Sequence, residues 1–541
     1  MADNVLVCVA WPYANGSLHV GQIAGAYLPA DIFARYHRLI GNRVLMVSGS
    51  DEHGTPITVR AEQEARSPRE ITDHFHAEFL QSWKDLGISF DLFTRTGTDN
   101  HREVVQALWL KMMNDGHITR DTMLAPYCTF DQRFLPDRYV EGICPHCGFD
   151  GARGDQCDNC GRPLNAVDLI KPRCRFCGRE PEIRETEHFF LQLPHFENRL
   201  KEWVAQQTHW RPTVLNATRS FLEGGLLPRP ISRDIEWGVP IPVPGYESKR
   251  IYVWFEACIG YLSASIEWAK AKGEPDAWKE WWTGENHSYY FIGKDNTFFH
   301  TIIWPAELLG HGDLNLPYDV PANEYLTLEN AKVSTSRDWA IWVPEFLQRY
   351  DPDPLRYMLA INMPETRDAD FTWEEFIRRN NEELVATWGN LVHRTLTFAV
   401  RNFDGRVPEA STDVAALAEK RAAESFTTVS SHLSSCHFKE ALREVMGLAQ
   451  FGNRLLDELA PWRQIRSDKE ACAATIYGLL TLINGIKVLT YPFLPFSSEK
   501  LHRMLGYEDE ILDHGYRLER LQAGVTLPEP RPLFTKLERE A

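Results

Sequence analysis

The sequence has fewer basic than acidic residues, with 58 lysines and arginines against 75 aspartates and glutamates and a net charge of −17. This deficit excludes a protein that binds nucleic acid mainly through non-specific electrostatic attraction. The start of the chain also lacks the apolar segment of about 7 to 15 residues that a signal peptide needs, since the run at residues 5–10 is too short. We therefore expect a cytoplasmic protein.

A long uninterrupted apolar run is missing as well. The most apolar stretch, residues 476–496, contains Asn484, Lys487, Pro492 and Pro495, whereas a transmembrane helix needs about 20 predominantly apolar residues. This stretch therefore predicts a buried helix of a bundle, and we expect no membrane partner.

The chain of 541 residues is long enough for three or four domains. Short apolar runs alternate with helical periodicity near the start, which predicts a parallel α/β domain. A cysteine-bearing stretch interrupts the pattern, strand-like runs return at residues 250–255 and 288–292, and helical patterns follow residue 370. We predict a split nucleotide-type domain (1–115 and 229–325), an insertion (116–228), a linking region (326–375), an α-helical domain (376–520) and a tail (521–541).

Four polar or glycine-containing segments each follow a predicted strand: residues 11–21, 49–54, 254–257 and 293–295. Ligands bind beyond the carboxyl ends of strands in open α/β sheets, so these segments are expected to share one pocket. No Walker loop and no GxGxxG sequence accompanies them. Ser17 is expected to cap a helix that starts near Leu18, which would place His19 and free backbone amides where a nucleotide phosphate binds.

Seven of the eleven cysteines fall between Cys128 and Cys177. In a cytosolic chain such clustering favours metal over disulfides. Two CxxC units nine residues apart fit one tetrahedral zinc ion, and four thiolates leave no position for water, so the ion would be structural. These ligands are Cys144, Cys147, Cys157 and Cys160. A further set is either a second zinc site or a metal-free remnant, and its members are Cys128, Asp131, Cys174 and Cys177.

Residues 14–22 read Ala-Asn-Gly-Ser-Leu-His-Val-Gly-Gln, which resembles the HIGH motif of class I aminoacyl-tRNA synthetases in its methionyl form. Further segments agree with that family in the same order, at residues 50–57, 235–240, 252–257, 291–295 and 299–305. The resemblance covers residues 5 to about 465. It implies a class I Rossmann-type parallel sheet, split by a zinc-binding insertion and followed by an all-α anticodon-binding bundle.

The resemblance also implies an activity and partners. Methionine and ATP, with Mg²⁺, would give methionyl-adenylate and pyrophosphate, and the methionyl group would pass to the 3′-terminal adenosine of tRNA(Met), initiator tRNA included. DNA is not an expected partner. The residues after the bundle are too few for the additional C-terminal dimerising domain of some relatives, so we expect a monomer.

The family's second signature, KMSKS, corresponds here to residues 332–336. During activation the amino-acid carboxylate attacks the α-phosphorus of ATP, and cations on this loop stabilise the charge that spreads over the phosphates. The second lysine of the motif is Thr335 and the second histidine of HIGH is Gln22, so stabilisation is expected to depend more on His19, Lys332, Arg337 and magnesium. The resemblance assigns catalysis and ATP binding to His19, Gly21, Gln22, Lys294, Asp295, Lys332, Ser334, Thr335 and Ser336.

A pocket selective for methionine should be aromatic with one or two polar contacts, because the thioether is polarizable and uncharged. By resemblance Asp51, which follows a predicted strand, would meet the substrate ammonium group. The other members of the methionine site would be Trp11, Tyr13, Trp254, Ala257, Tyr261, Phe299, His300 and Ile303.

On the helix around residue 390, apolar positions fall within one stripe, while Asn390 and Arg394 share a flank that is expected to be exposed. Such a pair is ordinarily a solvated surface. In the methionyl family the matching positions read the anticodon, together with the tryptophan of a Pro-Trp pair, here Trp462. An exposed tryptophan can stack an unstacked base while Asn and Arg read base edges.

Two alternatives of different classes remain at this point. One is a synthetase for another apolar amino acid, but the enzymes for leucine, isoleucine and valine need a large editing domain, because binding alone discriminates one methylene by only about 1 to 3 kcal/mol. The insertion here is too short for such a domain. The other is a catalytically inactive RNA-binding or regulatory protein, suggested by Gln22 and Thr335.

Overall fold

A computed structural model describes residues 3–538, apart from 156, 158, 161, 163, 333–338 and 410–412. Its centre is a sheet of five parallel strands in the spatial order β5-β4-β1-β2-β3. The strands are β1 (Asn4–Val9), β2 (Arg43–Ser50), β3 (Leu92–Arg95), β4 (His287–Gly293) and β5 (Ala322–Asn323).

Both faces of this sheet are covered, as the apolar sequence of its strands requires. Successive residues of β1 point to opposite faces: Val5, Val7 and Val9 belong to one core cluster, whereas Leu6 and Cys8 belong to another. The first core also contains side chains from the helices Leu28–Leu39 and Pro68–Leu86, and the second contains side chains from Asp99–Asn114 and Val253–Ala271.

The strand predicted at residues 250–255 is wrong beyond its first two positions. Only Arg250–Ile251 is extended, in a two-stranded antiparallel sheet with Ser232–Arg233, and the helix Val253–Ala271 begins two residues later. This helix is apolar and buried over most of its surface, and a short apolar run has no periodicity that separates a buried helix from a strand. The segment 254–257 therefore lies in the first turn of a helix, while the other three polar segments follow β1, β2 and β4.

The helix cap predicted at Ser17 is also wrong. The backbone is extended at His19 (φ −117°, ψ 158°), and the helix begins at Val20. The cause is tertiary: the N–H of Val20 donates to the carbonyl of Ile341, and the carbonyl of Leu18 accepts from the N–H of Val343. This pairing holds the chain extended for two residues longer than the local sequence predicts.

The insertion after the first half of the sheet domain is built from antiparallel strands. The longest pair, Ile118–Cys128 with Glu182–Leu191, forms the centre of a four-stranded sheet. A second sheet has three strands, Val140–Ile143, Asp150–Arg153 and Ile170–Cys174. Most cysteines of the insertion lie in these strands or in the turns next to them. The insertion ends with the helices Glu197–Ala205 and Pro212–Glu223.

A small sheet in the linking region joins the sheet domain to the helical domain. It consists of Leu326–Leu328, Ala331–Lys332 and Ala369–Phe371. The helical domain follows, and its helices are Trp373–Arg379, the π-helical Asn380–Gly389, Asn390–Asn402, Asp413–Ser434, Phe438–Leu459, Pro461–Ser467, Lys469–Thr490, Pro495–Met504 and Ile511–His514. The last residues pack along this bundle, where the side chain of Asn380 donates to the carbonyl of Thr535 and Phe534 is buried.

The helix Lys469–Thr490 is, among the described residues, long and apolar enough to cross a membrane by length and composition, but 94% of its apolar window is buried inside the fold. It packs between Asp413–Ser434 and Phe438–Leu459. The prediction of a buried bundle helix here is confirmed. The predicted architecture is confirmed as well: a parallel α/β sheet is split by a cysteine-bearing insertion and followed by a helical bundle. The boundaries of the six predicted segments stay a prediction.

Candidate active site

A cavity of about 1280 Å³ opens at the carboxyl ends of β1 and β4. One side is formed by the sheet domain and the other by the insertion, including residues 123–126 and 134–138. Ten of the residues predicted for catalysis, ATP or methionine line it. They are Trp11, Tyr13, His19, Gly21, Gln22, Trp254, Lys294, Asp295, Phe299 and Ile303.

His19 stands at the start of the first short helix, between the cavity and the linking region. Its backbone N–H donates to Oε1 of Gln22 at 3.0 Å, so Gln22 fixes the turn. Burial lowers the pKa of His19 to about 4, and the imidazole is therefore neutral at pH 7. No hydrogen bond from the described residues satisfies its buried Nδ1.

The described residues on both sides of positions 333–338 lie beside the His19 segment. Leu326 lines the cavity near Gly21, and the ring of Trp342 meets the His19 ring edge to face at 6.2 Å. Lys332 ends the strand Ala331–Lys332, where it pairs with Thr327. The fold thus brings the two ends of the predicted KMSKS region to the HIGH-like turn. The predicted residues Ser334, Thr335, Ser336 and Arg337 lie outside the described residues.

Lys294 and Asp295 follow β4 at the rim of the cavity. The Nζ atom of Lys294 lies 2.7 Å from Glu324 and 2.8 Å from Asp368, and 4.1 Å from the centre of the Tyr325 ring. Burial acts against its charge, but these two carboxylates raise the pKa of Lys294 above its usual value. Lys294 is therefore a fixed positive charge at this edge.

The ring of Trp11 forms the floor of an aromatic pocket. It fits because glycine occupies positions 49 and 260: a Cβ atom at Gly260 would lie 2.8 Å from the indole, and one at Gly49 would overlap it. The edge of Tyr261 packs against the indole at 6.4 Å. In the described chain Nε1 of Trp11 is buried without a hydrogen-bond partner.

Two hydrogen bonds fix the polar groups of the pocket. Nε1 of Trp254 donates to the hydroxyl of Tyr13 at 2.8 Å, and the Trp254 ring packs on Phe299 at 4.6 Å. Nδ1 of His300 donates to the carbonyl of Asn296 at 3.0 Å, so its Nε2 accepts from the hydroxyl of Tyr261 at 2.8 Å. Burial lowers the pKa of His300 to about 4, which keeps it in this neutral form.

Asp51 lies one layer behind the cavity wall, directly after β2. Its backbone pairs with the chain at Tyr13, and the N–H of His53 donates to its Oδ1 at 3.3 Å. Burial, with a smaller contribution from the charge of Glu256, raises the pKa of the Asp51 carboxyl well above its usual value. In the described part of the chain Asp51 forms no ion pair, so a bound cation would compensate for its burial.

A buried network that the sequence analysis did not assign lies beside Asp51. Both carboxylate oxygens of Glu256 contact histidines, Nδ1 of His53 at 2.6 Å and Nε2 of His101 at 2.8 Å. His53 and Glu256 stand inside segments that were recognised as motifs, so their positions were visible in the sequence. No sequence motif points to His101, because its partner Glu256 lies 155 positions away along the chain.

Two groups of side chains in the insertion could each hold a metal ion. The four thiols of Cys144, Cys147, Cys157 and Cys160 lie within 4.8 Å of one another, with sulfur–sulfur distances of 3.9 and 3.6 Å for two pairs. A tetrahedron of Zn–S bonds of about 2.3 Å places its sulfurs about 3.8 Å apart. The geometry therefore fits a zinc ion.

The second group has three thiols and one carboxylate. Oδ2 of Asp131 lies 3.1 Å from the sulfurs of both Cys128 and Cys174, and Cys177 lies 3.5 Å from Cys128. These atoms also lie within 4.8 Å of one another. Three sulfurs and a carboxylate oxygen are ligands that zinc accepts.

The predicted anticodon residues come together on the surface of the helical bundle. Asn390 and Arg394 line a shallow cavity of about 360 Å³. The guanidinium of Arg394 lies 5.3 Å from the centre of the Trp462 ring and forms an ion pair of 2.9 Å with Asp457. Trp462 is 40% exposed, so one face of its ring is accessible to a ligand.

Two family models together match most of the chain. Residues 5–396 match the model described as tRNA synthetases class I (M), and residues 407–541 match the anticodon binding domain of methionyl tRNA ligase. The chain belongs to the methionyl-tRNA synthetase family. Curated relatives agree over nearly their full length: the methionine--tRNA ligase of Thermomicrobium roseum is 55% identical (99% of this chain, 97% of the relative), and that of Dehalococcoides mccartyi is 56% identical (99% and 98%).

Solved structures of this family have the same fold. The crystal structure of Mycobacterium tuberculosis methionyl-tRNA synthetase bound by methionyl-adenylate superimposes with a TM-score of 0.81 at 25% identity, over 99% of this chain and 100% of that one. The methionyl-tRNA synthetase family therefore accounts for both halves of the molecule, the split sheet and the helical bundle.

Proposed function

We propose that the cavity at the ends of β1 and β4 catalyses both steps of methionyl-tRNA synthesis. Methionine and ATP form methionyl-adenylate and pyrophosphate, and the methionyl group then passes to the 3′-terminal adenosine of tRNA(Met), initiator tRNA included. The observation that carries this proposal is a cavity that brings together aromatic side chains and the His19 turn, with a buried carboxylate, without an ion pair in the described chain, directly behind its wall. ATP–pyrophosphate exchange with each of the twenty amino acids tests it.

Methionine would bind with its ammonium group at Asp51 and its thioether among the aromatic rings. The charge of the ammonium compensates the buried carboxylate. The methionine side chain would lie against Trp11, with Tyr261 packed on that ring and hydrogen-bonded to His300. Tyr13, Trp254, Phe299 and Ile303 line the same cavity, and Ala257 would complete the site. A rigid pocket of this kind favours a polarizable, uncharged side chain.

ATP would bind along the His19 turn, with Mg²⁺ on its phosphates. When the methionine carboxylate attacks the α-phosphorus, negative charge develops on the phosphates, and donors fixed in advance stabilise it. His19, Gly21 and Gln22 would contribute donors from one side and Lys294 from the rim. The carboxylate of Asp295 would contact ATP away from the developing negative charge. From the linking region Lys332, Ser334, Thr335 and Ser336 would contribute.

Zinc would occupy the insertion as a structural ion at Cys144, Cys147, Cys157 and Cys160, and a second ion would occupy the site of Asp131 with Cys128, Cys174 and Cys177. The fit of both ligand sets to tetrahedral geometry supports this. Bound zinc supplies cross-links between the strands of the insertion. The insertion forms one wall of the cavity, where it would cover the acceptor end of the tRNA.

Removing the metal is expected to unfold the insertion while the sheet domain and the bundle stay folded. Structural zinc contributes roughly 10 to 16 kcal/mol in small zinc peptides, whereas the other domains have cores of their own. Metal analysis of protein purified without chelator should find two zinc ions per chain, and Cys144→Ser and Cys174→Ser should each remove one.

Limited proteolysis after chelation locates the unfolded region and should give cuts within residues 116–228. A zinc content of one that only Cys144→Ser abolishes would eliminate the second site. A chain without zinc would contradict both sites.

The bundle would read the anticodon through Asn390, Arg394 and Trp462. The exposed face of Trp462 offers a platform for one unstacked base, and the guanidinium and amide present hydrogen-bond donors and acceptors beside it. Arg394 reaches Trp462 and Asp457 at once, so its plane is already oriented in the free protein.

Trp462→Ala is expected to reduce kcat/KM for tRNA charging by roughly 5- to 150-fold, because one stacked base is worth about 1 to 3 kcal/mol. Pyrophosphate exchange should not change, since the aromatic ring lies outside the cavity. Phe496→Ala, which removes an aromatic ring of the same bundle with 44% exposure, is the matched control and should charge tRNA normally. Wild-type charging by a folded Trp462→Ala protein would refute the anticodon role.

The same proposal places the reaction in the cytoplasm and the active protein in the monomeric state, without a membrane or DNA partner. The similarity to methionine--tRNA ligases, which serve translation, supports a cytoplasmic location. Sedimentation at micromolar concentration, with and without tRNA(Met), tests the oligomeric state.

A further inference from the structure

The network of Glu256, His53 and His101 joins three elements around the proposed ammonium site. Glu256 lies in the helix Val253–Ala271, His53 follows β2, and His101 lies in the helix Asp99–Asn114. Glu256 is fully buried, and His101 is 1% exposed. The ring of His101 also packs 6.3 Å from Trp11, the floor of the pocket.

The hydrogen bonds determine how many protons the network holds. The hydroxyl of Ser263 donates its single proton to the carbonyl of Gly260 at 3.0 Å, so it must accept from Nδ1 of His101 at 2.8 Å. His101 therefore carries a proton on Nδ1. A second proton must lie between Nε2 of His101 and Glu256, because two lone pairs 2.8 Å apart would repel.

This second proton makes the pair of His101 and Glu256 neutral as a whole. An imidazolium beside a carboxylate and a neutral imidazole beside a carboxylic acid have the same net charge of zero. Burial acts to raise the pKa of Glu256, but its contacts with His53 and His101 bring that pKa below the usual value. The other oxygen of Glu256 lies 2.6 Å from Nδ1 of His53 and accepts from it.

The network reaches Asp51 in two ways. His53 provides the backbone N–H that donates to Asp51, and the charge of Glu256 acts on Asp51 directly. If Glu256 were a lone carboxylate, two like charges would share one buried site and one of them would take up a proton. Because it shares a proton with His101, Glu256 acts on Asp51 less strongly than a lone carboxylate would, and its charge contributes less than burial to the raised pKa of Asp51.

We propose that His101 and Glu256 are positioning residues for the amino-acid substrate, a charge-neutral pair that limits the repulsion on the Asp51 carboxylate when it meets the substrate ammonium group. The inference rests on the proposed role of Asp51 and deepens it. The pair thereby selects α-amino acids over analogues of the same side chain that lack the ammonium group.

His101→Asn tests the proposal, because asparagine retains a donor toward Ser263 and loses the one toward Glu256. We expect the KM of methionine in pyrophosphate exchange to rise about tenfold, the effect of one pKa unit at Asp51, with kcat within threefold. The inhibition constant of 4-(methylthio)butanoate, which lacks the ammonium group, should change less than twofold. His37→Asn, at a buried histidine outside the site, is the matched control.

The double variant His101→Asn/Glu256→Gln separates charge from packing. It removes the carboxylate that the first substitution leaves unpaired, so the KM of methionine should return most of the way to the wild-type value. If the pair had a merely structural role, the second buried substitution would raise the KM of methionine further. A double variant no better than His101→Asn, or an equal loss for methionine and 4-(methylthio)butanoate, would overturn the proposal.

A measurement without substitution at these positions covers the case in which the variants do not fold. In protein labelled with ¹⁵N-histidine, the imidazole of His101 should carry a proton on Nδ1 and share a second proton with Glu256 at Nε2. The measurement is made in the His514→Asn background, since His514 also contacts two carboxylates, Asp509 and Glu519. A His101 ring without a proton on Nδ1, or without a shared proton at Nε2, would contradict the proposal. An unchanged KM in Asp51→Asn would instead contradict the role of Asp51 on which it rests.

Discussion

His19→Ala is expected to lower the rate of methionyl-adenylate formation by about 100- to 1000-fold, the usual cost of losing one preorganised donor to developing charge. The Kd of methionine should change much less, because the imidazole would act on the phosphates in the transition state rather than on the bound amino acid. Lys332→Ala should behave in the same way. Single-turnover formation of adenylate, followed by rapid quench with saturating ATP, measures this rate.

The control for His19→Ala is His74→Ala, a substitution of an exposed histidine in the helix Pro68–Leu86, which should form adenylate at the wild-type rate. The pH dependence provides a second check. Because burial lowers the pKa of His19 to about 4, its imidazole stays neutral from pH 8 down to about 5, and its contribution should be constant there. A His19→Ala protein with near-normal single-turnover rates would remove His19 from the phosphate site.

Asp51→Asn is expected to raise the KM of methionine by at least about 100-fold. The change keeps the shape of the side chain but leaves the bound ammonium group without its counter-charge, and breaking a buried pair in this way costs about 3 to 5 kcal/mol. Affinity for 4-(methylthio)butanoate should not fall, because that analogue has no ammonium group. Exchange kinetics and competitive inhibition measure the two quantities.

Asp85→Asn, at an exposed aspartate of the helix Pro68–Leu86, controls for a general effect of removing negative charge. It should leave both constants at their wild-type values. If Asp51→Asn weakened methionine and its deaminated analogue equally, Asp51 would be a structural carboxylate and another group would bind the ammonium.

The local features of this fold were predictable from sequence. The strands at residues 4–9 and 43–50 and the buried helix near residue 480 have strong apolar patterns, and the CxxC spacings define ligand sets that the fold brings together. The two cysteines of a CxxC unit are separated by two residues on one turn, so their sulfur atoms lie close together, and the sequence alone contains that geometry.

Features that depend on distant partners were not predictable in the same way. His19 is extended because residues 341–343 pair with its neighbours, and nothing near Ser17 encodes that contact. The strand predicted at residues 250–255 becomes a helix at Val253, because a short apolar run has no period that separates a buried helix from a strand. The pairing of Glu256 with His101 joins positions 155 residues apart, and only the assembled fold shows that they are hydrogen-bond partners.

We propose that one cavity catalyses both the formation of methionyl-adenylate and the transfer of the methionyl group to tRNA. The most direct test of this proposal is a chase experiment on the full chain. The protein is incubated with ATP, Mg²⁺ and an equimolar mixture of the twenty amino acids, the protein-bound product is isolated and identified by mass, and tRNA(Met) is then added. We predict methionyl-adenylate as the bound product and its conversion to methionyl-tRNA. A bound adenylate of another amino acid, or a methionyl-adenylate that tRNA(Met) does not consume, would contradict the account.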